Sequence, residues 1–153
     1  MGNQARDEQI LEAIAQLQRL SEVFGKRRIQ LARRVGLTEQ QWRVLEEISR
    51  EHFIPSMFAR KQDSSAAAVS KVLRQLLDKG LIQVSVSAQD GRQRAYELTG
   101  DGRRTMESLR NHRKHAIDAI WKELPERELQ RFSRFSAMLT ERIEQYASHE
   151  NKD

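Results

Sequence analysis

Few residues in this sequence have the types and spacing to do chemistry on a substrate, and most of those that do are cations. His112 and His115 stand three apart with Arg113 and Lys114 between them, a helical spacing that can ligate zinc. The chain has no cysteine, and no third ligand stands at a recognisable distance. The pair therefore reads as an exposed polar face, and no metal or other cofactor is expected. There is no glycine-rich phosphate loop, nucleophile elbow or His-Glu-x-x-His motif, and the isolated serines have no base partner. An enzyme is not expected. What remains is Ser65, Ser70, Lys71 and Arg74, then Gln89, Asp90, Arg92 and Arg94. Cations with small polar groups suit phosphates and base edges rather than bond making.

These residues matter only if the chain presents them together, and its patterning says how. From Gly80 to Gly102 helical spacing gives way to strand alternation. Ile82, Val84 and Val86 alternate with Gln83, Ser85 and Ser87; after a polar tip over 88–92, Tyr96 and Leu98 alternate with Ala95 and Glu97. This predicts a two-stranded hairpin with one apolar face. A lone hairpin is marginal in water, so it must lean on helices. Just before it, Ser64 or Ser65 caps a helix in which Val69, Val72, Leu73, Leu76 and Leu77 form one apolar stripe. Ala67, Ser70, Lys71 and Arg74 take the opposite face, and Gly80 ends the helix. A basic hairpin directly after an amphipathic helix is the arrangement of a winged helix-turn-helix, and it points to DNA.

Upstream, apolar positions from Ile10 to Val35 recur at helical spacing in a long helix from about Asp7 to Arg34, ended by Gly36. Thr38-Glu39-Gln40-Gln41 is a capping box before Trp42, Val44, Leu45 and Ile48. Pro55 starts a short helix through about Lys61, with Met57 and Phe58 as apolar anchors. Beyond the hairpin, Thr99 caps a long helix to about Glu123, Leu124-Pro125 breaks it, and a last helix runs to about Ala147. The predicted fold class is mainly α with a small β-hairpin. Residues 1–153 form a single domain, with a winged lobe over 37–99 and dimerisation helices over 1–36 and 100–148. The terminal helices carry more apolar positions than a small lobe can cover, and Leu11, Leu17, Ile120, Phe132, Leu139 and Ile143 are candidates for a core shared by two copies.

Composition narrows the partners. Lys and Arg outnumber Asp and Glu by 27 to 22, a formal charge of +5 that favours a polyanion without requiring one. Without cysteine there is neither a disulfide framework nor a thiol switch. No run of eighteen apolar residues and no signal-peptide core occurs, so no membrane partner is expected and the protein is placed in the cytoplasm.

Leu37-Thr38-Glu39-Gln40-Gln41-Trp42 with Val44-Leu45, then Phe58-Ala59, then Leu76-Leu77-Asp78-Lys79-Gly80-Leu81-Ile82, then Asp90-Gly91-Arg92, then Leu98-Thr99 with Gly102 follow one another along the chain. In this order and at these spacings they resemble the MarR family of bacterial winged helix-turn-helix transcriptional regulators, over nearly the whole length. The resemblance implies a homodimer with interlocked terminal helices, whose two lobes bind a pseudo-palindromic operator in double-stranded DNA. The chain departs from the family's usual pattern at Gln83 and Val84, where arginines are common, at Ala66-Ala67-Ala68, where polar residues are, and at Phe58 in place of leucine.

An α-helix fits the major groove with its N-terminal residues at base edges. Ser65 and Ser70 can donate or accept there, the Ala67 methyl can meet a thymine methyl, and Lys71 or Arg74 can reach a guanine or a phosphate. At the wing, Arg92 can enter the narrow minor groove and Arg94 can meet phosphate, with Gln89 a weaker candidate for either. Asp90 is a turn residue, and the family's Asp-x-Arg pattern suggests that it also orients the arginine. Phe24, Trp42 and Met57 are candidates for a small-molecule effector pocket. The expected function is a sequence-specific DNA-binding regulator, a dimeric repressor released by a small ligand. The alternatives are a winged-helix protein–protein adaptor with weak DNA binding and a low-specificity architectural DNA binder.

Overall fold

The structure is a computed structural model and describes residues 2–50, 52–86 and 94–150. Its elements are α1 (Gly2–Arg34), α2 (Glu39–Ile48), α3 (Pro55–Lys61), α4 (Ala66–Asp78), β1 (Ile82–Val86), β2 (Arg94–Leu98), α5 (Gly100–Ala116), a π-helical turn (Ile117–Trp121) and α6 (Glu126–Glu150). The fold is mainly helical with one antiparallel hairpin, as the patterning predicts. The chain divides into two compact units, residues 1–112 and 113–153.

In the first unit the helix boundaries follow from local chemistry. Gly36 takes a left-handed φ of 73°, and Leu37 and Gly36 donate back to Ala32 and Arg33 at 3.0 and 3.1 Å, the Schellman ending glycine permits. Gly80 ends α4 in the same way, with φ 68° and with Leu81 and Gly80 donating to Leu76 and Leu77. The third such ending, after α3, has no glycine: Asp63 takes φ 49° while Ser64 and Asp63 donate to Ala59 and Arg60. The capping box is present, with Thr38 Oγ1 accepting from the Gln41 N–H and Gln41 Oε1 accepting from the Thr38 N–H, each at 3.1 Å.

The core gathers Trp42, Val44, Leu45 and Ile48 of α2, Phe58 and Ala59 of α3, Val69, Val72, Leu73 and Leu76 of α4, and Met106 and Leu109 of α5, joined by Ile82 at the hairpin base. Met57, expected as an anchor, is exposed; Phe58 and its neighbour Ala59 anchor α3. Among the described residues of α1 only Leu31 and Ala32 are buried, and every residue from 4 to 26 is exposed. The hairpin pairs Ile82 with Leu98, Val84 with Tyr96 and Val86 with Arg94. Its predicted apolar face is buried only at the base: Ile82 is covered, whereas Val84 and Val86 are exposed.

The second unit holds the end of α5, the π turn and α6. None of its described residues is buried, yet α6 carries Phe132, Phe135, Met138, Ile143 and Tyr146 exposed. The helix expected to run unbroken to Glu123 instead loosens after Ala116, where the Lys122 N–H reaches five residues back to the Ile117 carbonyl. Among the described residues no helix is long and apolar enough to cross a membrane.

Candidate nucleic-acid interface

The outward face of α4 is defined by what its other face buries. Val69, Val72, Leu73 and Leu76 point into the core, which leaves Ala67, Ser70, Lys71 and Arg74 exposed along one side. Among the described residues, neither Lys71 nor Arg74 has an ion-pair partner. Ser65 is the N-cap, its Oγ accepting the Ala68 N–H at 3.1 Å. That hydroxyl keeps a proton to donate but is fixed by the cap. Ala68 is half-buried and lines a 280 Å³ cleft with Gln40, Arg43, Gln62 and Ser64.

Arg94 opens β2 and is exposed. It lines a larger cleft of 810 Å³ together with Arg50, His52, Phe53, Tyr96 and Arg103. His52 lies there with a left-handed φ of 66°, and Phe53 meets the Tyr96 ring edge-on at 5.9 Å. Gln89, Asp90 and Arg92 lie outside the described residues.

The three residues read as a pocket have different surroundings. Trp42 is 2 % exposed, a core side chain, while Phe24 and Met57 are each 57 % exposed. His112 is half-buried and His115 exposed. Among the described residues no group of three or more His, Cys, Asp or Glu is placed to hold a metal.

Sequence reasoning passed over the residues that join α4 and α1 to α2. Gln41 is 4 % exposed, and its Nε2 donates to Gln75 Oε1 of α4 at 3.1 Å. One residue along, the Arg28 guanidinium of α1 lies 4.0 Å over the Trp42 ring. Arg28 also donates to Glu39 at 2.8 Å and to Glu46 at 3.3 Å. Burial pushes the Glu39 carboxyl up, but hydrogen bonds and charge from Arg43 and Arg28 outweigh it and hold the group below its ordinary value. The capping box marked Gln41 as a helix start, but nothing local in the sequence reveals its partner 34 residues on.

The sequence profile of the MarR family matches residues 35–93. A curated relative, the transcriptional regulator AdcR of Streptococcus pneumoniae, is 31 % identical over 83 residues, which make up 54 % of this chain and 57 % of that protein's length. The chain thus spans little more than half of the curated relative it matches. Among solved structures, a MarR family transcription regulator superposes with a TM-score of 0.86 at 17 % identity, over 97 % of this chain and 99 % of that one. The MepR–DNA complex of S. aureus gives 0.64 at 22 % identity, over 82 % and 92 %. At these identities the likeness is one of fold.

Proposed function

We propose that this chain, whose residues 35–93 match the MarR family, is a member of that family and a transcriptional regulator that binds a two-fold operator as a homodimer. It represses by occupying that operator in the cytoplasm and is released by a small ligand. The observation that carries the reading is α4, committed to the core on one face and presenting Ala67, Ser70, Lys71 and Arg74, unobstructed, on the other. A helix so presented can enter the major groove, with its first turns at base edges and its cations at bases or phosphates.

Two further features support it. The exposed apolar positions of α1 (Ile10, Leu11, Ile14, Leu17, Leu20) and of α6 (Phe132, Phe135, Ile143) are more than a monomer ordinarily leaves in water. In this reading a second copy covers them, and the segments 1–36 and 100–148 are the dimerisation helices around the lobe at 37–99. The cleft of 810 Å³ beside Arg94 is within the size range of small-molecule sites, which makes it a place where an effector would meet a DNA-facing cation.

Selection of bound sequences from a random duplex pool tests the reading. A palindromic consensus is expected, with half-sites about one helical turn apart. Recovery of no consensus would refute sequence-specific regulation. Arg92→Ala, at the tip that the sequence predicts for the hairpin, is expected to weaken operator binding by about 1–3 kcal/mol and to lower the salt slope by about one.

A further inference from the structure

An apolar stripe decides which face of a helix is buried but leaves its rotation about its own axis soft, because dispersion contacts have no direction. Val69, Val72, Leu73 and Leu76 of α4 make such a stripe. Rotation matters at the outer face. With an outer radius of about 5–6 Å, a turn of about 20° carries Lys71 or Arg74 sideways by roughly 2 Å. That is enough to miss a hydrogen bond whose length tolerance is about half an ångström.

Among the described residues, the side-chain hydrogen bond that ties α4 to another element of the core is the amide pair. Gln41 is almost wholly buried, and both ends of its side chain are engaged: Oε1 by the Thr38 N–H, and Nε2 by Gln75 Oε1. Gln75 stands at the flank of α4, one turn beyond Lys71 and next to Arg74. The same turn of α2 is gripped from α1, through Arg28 on Glu39 and over Trp42.

We propose that Gln41 is a positioning residue for α4: its bond to Gln75 sets the rotation at which Ala67, Ser70, Lys71 and Arg74 face outward, and the first turn of α2 is the joint that refers this setting to α1. The role in DNA recognition rests on the regulator reading above; the mechanical role does not.

The experiment compares three forms of the full-length protein by residual dipolar couplings of the α2 and α4 amides without DNA, thermal unfolding, and affinity for selected against random duplex. The forms are wild type, the paired variant Gln41→Leu with Gln75→Leu, and the single variant Gln75→Glu. Replacing both amides by apolar groups of similar size removes the buried pair together and frees only the Thr38 N–H, at an exposed residue. The paired variant is therefore expected to fold, with its melting temperature lowered only by the lost half of the capping box. Its α4 couplings should depart from the wild-type orientation relative to α2, and its preference for selected over random duplex should fall roughly tenfold. Gln75→Glu keeps the acceptor for Gln41 Nε2 and should retain both the wild-type couplings and the wild-type preference. Wild-type couplings in the folded paired variant would overturn the proposal outright, as would loss of the preference in Gln75→Glu with α4 unmoved. If α4 rotates but no duplex is preferred even by wild type, the joint stands and the regulator reading falls. If the paired variant does not fold, Gln75→Leu alone leaves Gln41 Nε2 without its partner and must show the same rotation for the proposal to survive.

Discussion

Gly102 lies in the first turn of α5, where replacement of glycine by alanine adds about 1 kcal/mol on helix propensity alone. In this fold the sign should reverse. A Cβ at residue 102 would stand 2.0 Å from the Leu81 carbonyl oxygen and 3.1 Å from its carbon, where real contacts do not fall below 3.0 Å. At least 3.0 − 2.0 = 1.0 Å must therefore be found. Leu81 cannot supply it easily, because its N–H is bonded to Leu76 and its carbonyl accepts the Thr99 N–H, both at 3.0 Å. Nor can α5 retreat without leaving its cap, since Thr99 Oγ1 accepts the Gly102 N–H at 3.1 Å and donates to the Gly80 carbonyl at 2.6 Å. Overpacking costs about 1–3 kcal/mol and a lost cap about 1 kcal/mol; less the propensity gain, Gly102→Ala should destabilise by about 1–3 kcal/mol. Urea unfolding followed by far-ultraviolet circular dichroism, at one fixed protein concentration, should show a midpoint lower by roughly 1 M with an unchanged slope. Gly25→Ala is the control: a Cβ there meets nothing within 4 Å, so this substitution should stabilise. A Gly102→Ala midpoint equal to or above wild type would refute the close approach.

Other substitutions test separate parts of the account. Lys71→Ala and Arg74→Ala should each weaken operator binding, and the one that meets phosphate should lower the salt slope by about one without changing sequence preference; gel-shift titrations at several salt concentrations separate the two cases. Glu39 is held below its ordinary value of 4.5, so its contribution to stability is complete above about pH 4.5 and is lost as the pH falls from there through the lower folded value. Glu39→Gln should remove that acid-side loss, seen as a flatter melting temperature between pH 5 and pH 3. Asp63→Gly relieves a left-handed backbone between α3 and α4 and should change stability by no more than about 1 kcal/mol, with the gain offset by a looser unfolded chain. Leu17→Glu or Phe135→Glu should turn a dimer into monomer or aggregate in analytical ultracentrifugation; a wild type that sediments as a folded monomer at micromolar concentration would refute the shared core.

What the sequence discloses is what is encoded locally. Helix ends at Gly36 and Gly80, the Thr38 box, the Ser65 and Thr99 caps and the hairpin all depend on residues within a turn or two of each other, and all are legible. The outward set Ala67, Ser70, Lys71 and Arg74 follows from the same periodicity. Contacts between distant segments do not: Gln41 with Gln75 and Arg28 with Trp42 span elements that no spacing connects. Residue type alone does not tell which apolar side chain anchors a helix, and it misplaces Met57, because α3 is only two turns long and turns Phe58 and Ala59 inward instead. The hairpin shows a related limit. Alternation reveals a shared face but not how far along each strand the core extends: on β1 burial stops after Ile82, whereas on β2 both Tyr96 and Leu98 pack against the core.

The exposure of α1 along residues 4–26 also bears on how the protein is made. Everything the lobe needs, from Leu31 to Leu109, is contiguous in the chain and can close upon itself as it leaves the ribosome. The exposed apolar positions of α1 emerge before those of α6, which follow the whole lobe in sequence. At about 5–20 residues per second, α1 spends roughly ten seconds outside the ribosome before its own α6 follows. During that interval a neighbouring nascent chain on the same message presents an identical α1. In the homodimer reading, close spacing of ribosomes should therefore govern the yield of correctly paired protein, and slow initiation should favour it over aggregation.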